Sequence, residues 1–383
     1  IKYNSLTKVP AGTPVVSIKN LIALKPLEPS SYAYAIDAKD YNVPAFIFDA
    51  QQHKIVVASA FKPFSTKENK DFSYGSLMIP VASQKLSEKE VHVVLKKLQA
   101  KHGLQVHSLS TGFSTQGVDL GSRAIRPLDQ PKALMLIGNG VRSYEAGEVW
   151  HLLDTRVGMP ITKVRQDYFS RVSLEDYNTM ILVSGNYKWD EKTTERIKEW
   201  VNNGNTIISI GTANNALIKY KIINEKRVTL KKDSTATASI KPYVDAAENL
   251  GREQLGGIFL KGNIDLTHPL GFGFTQKNVS LYKNNLVWLE PSKSSYGTPV
   301  LYDKDPHVDG YISKNIRTKY LPKAAPVLVS KVGKGRVILF AENPNFRGTT
   351  YGANRLFLNA LFLGNHISVP RFQGESNNME FEH

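Results

Sequence analysis

Residues 205–217 read NTIISIGTANNAL, and no other stretch of the chain constrains the fold as tightly. Ile207, Ile208 and Ile210 make a short β-branched run suited to a buried strand. Gly211 permits a sharp turn, and Asn214-Asn215-Ala216-Leu217 can open a helix. A strand that passes through a tight turn into a helix is how an open α/β sheet presents a nucleophile at its carboxyl edge. Thr212 and Ala213 stand at that turn, where a Cys or Ser is expected. The stretch has the outline of a catalytic elbow without its usual nucleophile.

The 383 residues fit about two domains. Residues 1–130 are expected to form a small α/β module. SYAYAI (31–36), KIVVASAF (54–61), SLMIPVA (76–82) and LQVHSLS read as strands, and Pro44 can start the helix VPAFIFDAQQ. Ser87 and Glu90 form a capping box for a helix with Val91, Val94, Leu95 and Leu98 on one face, ended by Gly103. The turn-rich TGFSTQGVDLGSRAIRPLDQP then leads to a boundary at Asp129-Gln130-Pro131.

From Lys132 the alternation becomes regular, which predicts a parallel sheet covered by helices in a domain spanning 131–367. Strands are expected at 133–138, 160–164, 179–183, 205–210 and 336–342. Ser143 should cap a helix with Ala146, Val149, Trp150, Leu153 and Val157 inward, and Asp190 one with Ile197, Trp200 and Val201 inward, stopped by Gly204. Leu356, Phe357, Ala360 and Leu361 stripe the last helix. Between about 218 and 330 the rhythm breaks. GGIFL, NLVWL, TPVLY and APVLV predict a β-rich insertion of antiparallel ribbons packed on the sheet. Residues 368–383 read as a flexible polar tail.

Composition narrows the chemistry. With no Cys, disulfides, thiolate metal sites and Cys nucleophiles are excluded. The net charge of +15 favours an anionic contact, an acidic glycan among them. Yet the densest basic cluster, Lys219, Lys221, Lys226, Arg227, Lys231 and Lys232, reads as a solvated loop or hairpin, and no nucleic-acid-binding motif accompanies it. Nucleic acid is therefore not an expected partner. No run approaches the roughly 18 apolar residues of a membrane span. The start, IKYNSLTKVPAG, lacks both a Met and a signal-peptide core, so a processed or truncated piece is expected.

In open α/β sheets ligands sit beyond the carboxyl ends of the strands. Gly138-Asn139-Gly140, Ser184-Gly185-Asn186, Gly211-Thr212-Ala213 and Glu342-Asn343-Pro344 should converge there. Thr212 and Ser184 are the candidate nucleophiles, but no His stands at a recognisable strand end to serve either, and the same residues are ordinary turn formers. Candidate binding residues on this rim are Asn139, Tyr144, Glu145, Asn186, Asn214, Glu342, Asn343, Arg347 and Tyr351. With Arg355, the last of these could hold a carboxylate or sugar hydroxyls, or could clamp the final helix. His151 and Asp154 lie at i and i+3 and resemble half of a helical metal site, with no third ligand; His268 and His307 read as surface loop residues. No metal ligand is assigned.

GNGVRSYEAGEVWHLLDTRVGMPIT, YNTMILVSGNY, THPLGFGF and FAENPNFRGTTYGANRLFLNALFLG together resemble the C-terminal region of long bacterial zinc carboxypeptidase-like proteins. FSYGSLMIPV and STGFSTQGVDLGSRAIRPL are similar to the stretch joining the peptidase domain to that region, so the likeness spans about residues 30 to 365. It implies an exported parent, periplasmic or extracellular, with a zinc carboxypeptidase domain preceding this chain as its partner. It also implies that 131–367 is a flavodoxin-like, class I glutamine amidotransferase-like domain. The peptidase's His-x-x-Glu zinc pair has no match here, so zinc is expected only in the peptidase domain and no cofactor in this chain. In the amidotransferase motif G-x-C-x-G, Ala213 falls at the nucleophile and Asn215 at the second Gly. An Ala methyl offers no lone pair for attack, so the chain is expected not to be catalytic by itself.

Overall fold

The computed structural model describes residues 24–229 and 240–370. The tail from 371 onward, and Lys231 and Lys232 of the basic cluster, lie outside them. The first module is built on strands β1 (Ala33–Ile36), β2 (Ala58–Ala60), β5 (Leu77–Pro80), β6 (His107–Leu109) and β8 (Ile125–Pro127). They form one antiparallel sheet in the order β6-β1-β5-β2-β8. Three two-residue strands, β3 (Phe64–Ser65), β4 (Asp71–Phe72) and β7 (Gln116–Gly117), make a small second sheet. Helices α1 (Val43–Gln52) and α2 (Glu88–His102) complete the module. Pro44 occupies the first turn of α1, the Ser87–Glu90 capping box is formed, and Gly103 ends α2 at φ +66.

Two local expectations fail here for identifiable reasons. Only 58–60 of KIVVASAF form a ladder, because the Gln84 side chain takes both backbone groups of Val56, at 2.8 and 3.0 Å. The turn-rich segment, read only as leading to the boundary, supplies β7 and the edge strand β8, whose Ile125 pairs with Ala60.

The larger unit is mixed α/β around one nine-stranded sheet. Strands β9 (Ala133–Ile137), β10 (Thr162–Arg165), β11 (Thr179–Leu182), β12 (Thr206–Ile210) and β17 (Gly335–Phe340) are parallel, in the order β10-β9-β11-β12-β17. Their buried runs of Leu, Ile, Val and Met are what strands covered on both faces require. Helices α3 (Ser143–His151), α4 (Glu191–Asn202) and α5 (Ala213–Lys219) connect them. Asp190 caps α4 by accepting from the Thr193 N–H at 2.8 Å. Ser143, in contrast, is the first residue of α3 and makes no capping bond, and Trp150 is 47% exposed with the Lys163 ammonium 3.4 Å from its ring centroid. The helix widens into a π turn over Leu152–Val157, in which Leu152, Leu153 and Val157 are buried.

The β-rich insertion does not pack on the sheet. Its strands β13 (Ile258–Ile264), β14 (Asn278–Lys283), β15 (Val300–Asp309) and β16 (Val327–Val332) continue the sheet from the edge of β17, all antiparallel. NLVWL contains no strand: Leu289 makes only isolated bridges to Arg227 and Ala325. A helix, α6 (Ala246–Arg252), precedes β13.

The apolar interior crosses the 129–131 boundary. Phe46 of α1 and Leu95 of α2 belong to the same buried cluster as Val149, Ile208 and Phe357. Consequently α7 (Tyr351–Leu363) is not striped: every residue from 353 to 363 is buried, since the first module covers the face that would otherwise meet water. A second cluster, containing Leu182, Trp200, Ile207 and Leu217, lies on the sheet's other face. Among the described residues no helix is long and apolar enough to cross a membrane.

Candidate functional site

The four strand-end loops do meet. Val141 bridges to Gly185, the Asn186 N–H donates to Gly140 O at 2.8 Å, and the Gly211 N–H donates to Phe340 O at 2.8 Å. The turn after β12 has its positive φ at Gly211 (+57°), one residue before Thr212 and two before Ala213. Ala213 is instead the first, fully buried residue of α5. The apex of the elbow therefore carries only a hydrogen, and a Cβ there would lie 2.2 Å from Ser184 Oγ.

The two candidate nucleophiles are tied to each other. Ser184 Oγ accepts from the Thr212 N–H at 3.1 Å, and Thr212 Oγ1 accepts from the Gly185 N–H at 3.0 Å. Ser184 is 1% exposed. Glu145, buried in the first turn of α3, accepts from the Ser184 N–H at 2.9 Å with Arg142 at 3.5 Å. Burial raises the Glu145 carboxyl above its ordinary value, and hydrogen bonding from Ser184 and the Arg142 charge oppose that. These groups hold the loops together; the Ser184 hydroxyl is buried, and among the described residues neither hydroxyl is bonded to a histidine that could take its proton.

At the end of β17 the rim is filled. Glu342, 1% exposed, lies 3.4 Å from the ammonium of fully buried Lys283 and accepts from the Tyr302 hydroxyl. Lys283 also donates to Val287 O at 2.6 Å and Ala341 O at 3.1 Å, and stands 4.4 Å above the Trp288 ring. Burial pulls the Lys283 ammonium down and pushes the Glu342 carboxyl up, each partner opposing the other's shift. Asn214 donates to Phe340 O at 2.9 Å, and Asn343 donates to Glu148 at 2.6 Å. Glu145, Asn214, Glu342 and Asn343 are thus internal fasteners. Asn139, Tyr144, Asn186, Arg347 and Tyr351 are exposed, Arg347 at a positive φ of 49°.

Sequence reasoning missed Lys283, Tyr302 and Glu148. The available signal for the first was a Lys at an inward position of NVSLYK, which local pattern gives no reason to distrust. The histidines also needed correction. His268 is 8% exposed, its Nδ1 accepting from the Leu270 N–H at 3.2 Å, and burial lowers its pKa to about 4. His307 lies in β15 rather than a loop and contacts Gly310 O at 2.6 Å. His151 and Asp154 are exposed, and among the described residues no three His, Cys, Asp or Glu side chains gather to hold a metal ion.

No protein-family model matches the sequence, and no curated protein matches it. Solved structures do. A protein assigned as a GMP synthase subunit from Thermoplasma acidophilum is 12% identical, with 61% of this chain and 94% of that one covered at a TM-score of 0.34. A ThuA-like protein from Parabacteroides merdae is 15% identical, covering 61% and 89% at 0.35. A beta-galactosidase from Bacillus circulans is 11% identical, covering 61% of this chain but 30% of its own length, at 0.32. None of the three bears on this chain's chemistry.

Proposed function

We propose that this chain is a non-catalytic accessory region of an exported zinc carboxypeptidase-like protein, which positions the peptidase or binds a peptide or cell-wall fragment. Its larger unit is read as a flavodoxin-like, class I glutamine amidotransferase-like domain. Numbered in chain order within the parallel half, the strand order 2-1-3-4-5 supports that reading, because it is the flavodoxin-like order with its ligand crevice at the carboxyl ends. The observation that carries the non-catalytic part is Gly211: the apex of the elbow has no side chain, and the adjoining Ser184 hydroxyl is buried and already bonded.

The test uses the purified chain with peptide, amide and ester substrates. Turnover is expected to equal the buffer rate and to be unchanged in Ser184→Ala and Thr212→Val. A rate abolished by either substitution would establish the hydrolase reading instead. Association with the peptidase domain of the same polypeptide, or retention on cell-wall material, is the positive expectation. Failure of both sinks the accessory role.

A further inference from the structure

An open cleft of about 600 Å³ lies away from the elbow, where the first module meets the N-terminal turn of α7 and the loop leading into β14. That volume is in the range of small-molecule sites. Its lining contains two cationic side chains, Lys39 and Arg355, and no carboxylate. Arg355 is the informative one. It is 8% exposed, and three of its N–H groups go to neutral acceptors: Asn359 Oδ1 at 3.0 Å, Asp40 O at 2.7 Å and Ala38 O at 2.8 Å. A guanidinium has five N–H donors, so part of its donor set is left open; none of the three bonds goes to a carboxylate, and the Asp40 carboxylate acts on the charge only through space. A buried cation facing a cleft is costly unless something negative meets it. Lys39 adds a second, half-exposed cation, held 3.4 Å from Asp37.

The rest of the lining describes what bears the negative charge. Tyr41 and Tyr351 stand with ring centroids 5.1 Å apart at 57°, and the Arg156 guanidinium lies 4.3 Å from the Tyr351 centroid. Hydroxyl and amide side chains of 275–280 and 349–350 surround them. Paired tyrosine faces among short polar side chains suit the apolar faces and hydroxyls of a pyranose, and the cations suit a carboxylate on it. The geometry points to a binding site for an acidic sugar in this cleft, with the contacting Tyr41 and Tyr351 rings together as one aromatic wall and Arg355 and Lys39 as the carboxylate partners. The inference rests on the chain being a binding module and gives that reading a ligand class and a place.

Gly352 makes the test clean: it sits in the first turn of α7 with open space where a Cβ would be, so a large side chain can fill the cleft without straining the helix. Binding of digalacturonic acid to the full chain is measured calorimetrically beside its methyl ester and an acetylated dialanine. The acid is expected to bind at least about tenfold more tightly than the ester, and to lose about tenfold or more in Gly352→Trp, Tyr351→Ala and Lys39→Gln, with the thermal midpoint of each variant near that of the parent. Added salt should weaken it. Equal affinity for acid and ester, undiminished binding in Gly352→Trp, tighter binding of the dipeptide through the same residues, or no binding up to about 10 mM each overturns the site. Substrate turnover alongside intact sugar binding would sink the non-catalytic reading and leave this site standing. Peptidase association without sugar binding would do the reverse.

Discussion

Arg355 on α7 donates from Nη2 to the backbone carbonyl of Ala38 at 2.8 Å, joining residues 317 apart in the chain. With the companion bond to Asp40 O, it fixes the final helix to the loop after β1. Changing Arg355 to Met strands two carbonyls and removes the buried fork. A loss of about 3 kcal/mol is expected in chemical denaturation, from two charge-assisted bonds. Arg355→Lys, which lacks the planar fork, should recover less than half. A Met variant as stable as the parent would refute the clamp.

Gly211 should tolerate no side chain. Its φ of +57° and the 2.2 Å that would separate an added Cβ from Ser184 Oγ combine backbone strain with a clash. Gly211→Ala is expected to cost about 2–4 kcal/mol. In Ser184→Ala the clashing oxygen is gone, so the double substitution should be milder than the sum of the two by about 1 kcal/mol or more. Strict additivity in a double-mutant cycle would show that the two do not touch.

The Lys283–Glu342 pair predicts an asymmetry. Lys283→Met leaves a buried carboxylate facing no ammonium and should cost about 3–5 kcal/mol. Adding Glu342→Gln neutralises that carboxylate, keeps an acceptor for Tyr302, and should restore at least half of the loss. If the double variant is no more stable than Lys283→Met, the charge is not what makes the single change costly.

His268 makes the fold sensitive to acid. Its folded pKa of about 4 lies below the ordinary 6.5, so the folded state resists a proton that the unfolded chain accepts. The contribution is fully present above pH 6.5 and drains away as pH falls toward 4, by about 3 kcal/mol at most. His268→Asn keeps an acceptor for the Leu270 N–H and should flatten the stability profile in that window. An unchanged acid limb in the variant would exclude His268 as its source.

The residues that could be placed from the sequence are those whose reasons lie within a few positions. The Ser87–Glu90 box, the Asp190 cap and the Gly103 stop are bonds closed inside one turn, and they form as expected. The buried runs of β9, β11, β12 and β17 announce themselves by apolar content, since strands covered on both faces need nothing else. The convergence of the strand-end loops follows from parallel strands alone. Which of their side chains turn inward does not, and Glu342 and Asn343 read the same in sequence as exposed Asn139 and Asn186.

The sequence by itself determined an α/β chain with a parallel sheet and an elbow that has no sulfur, because periodicity and the absence of Cys are local facts. Only the tertiary structure decided that the insertion extends the sheet, that α7 is buried all round, that Lys283 and His268 are internal, and that Gly211 is the apex. The insertion, α7, Lys283 and Gly211 each depend on a partner far along the chain: the open edge of β17, the first module's helices, the Glu342 carboxylate, the Ser184 hydroxyl. Burial and charge pairing are properties of such meetings, and no window of neighbouring residues contains them.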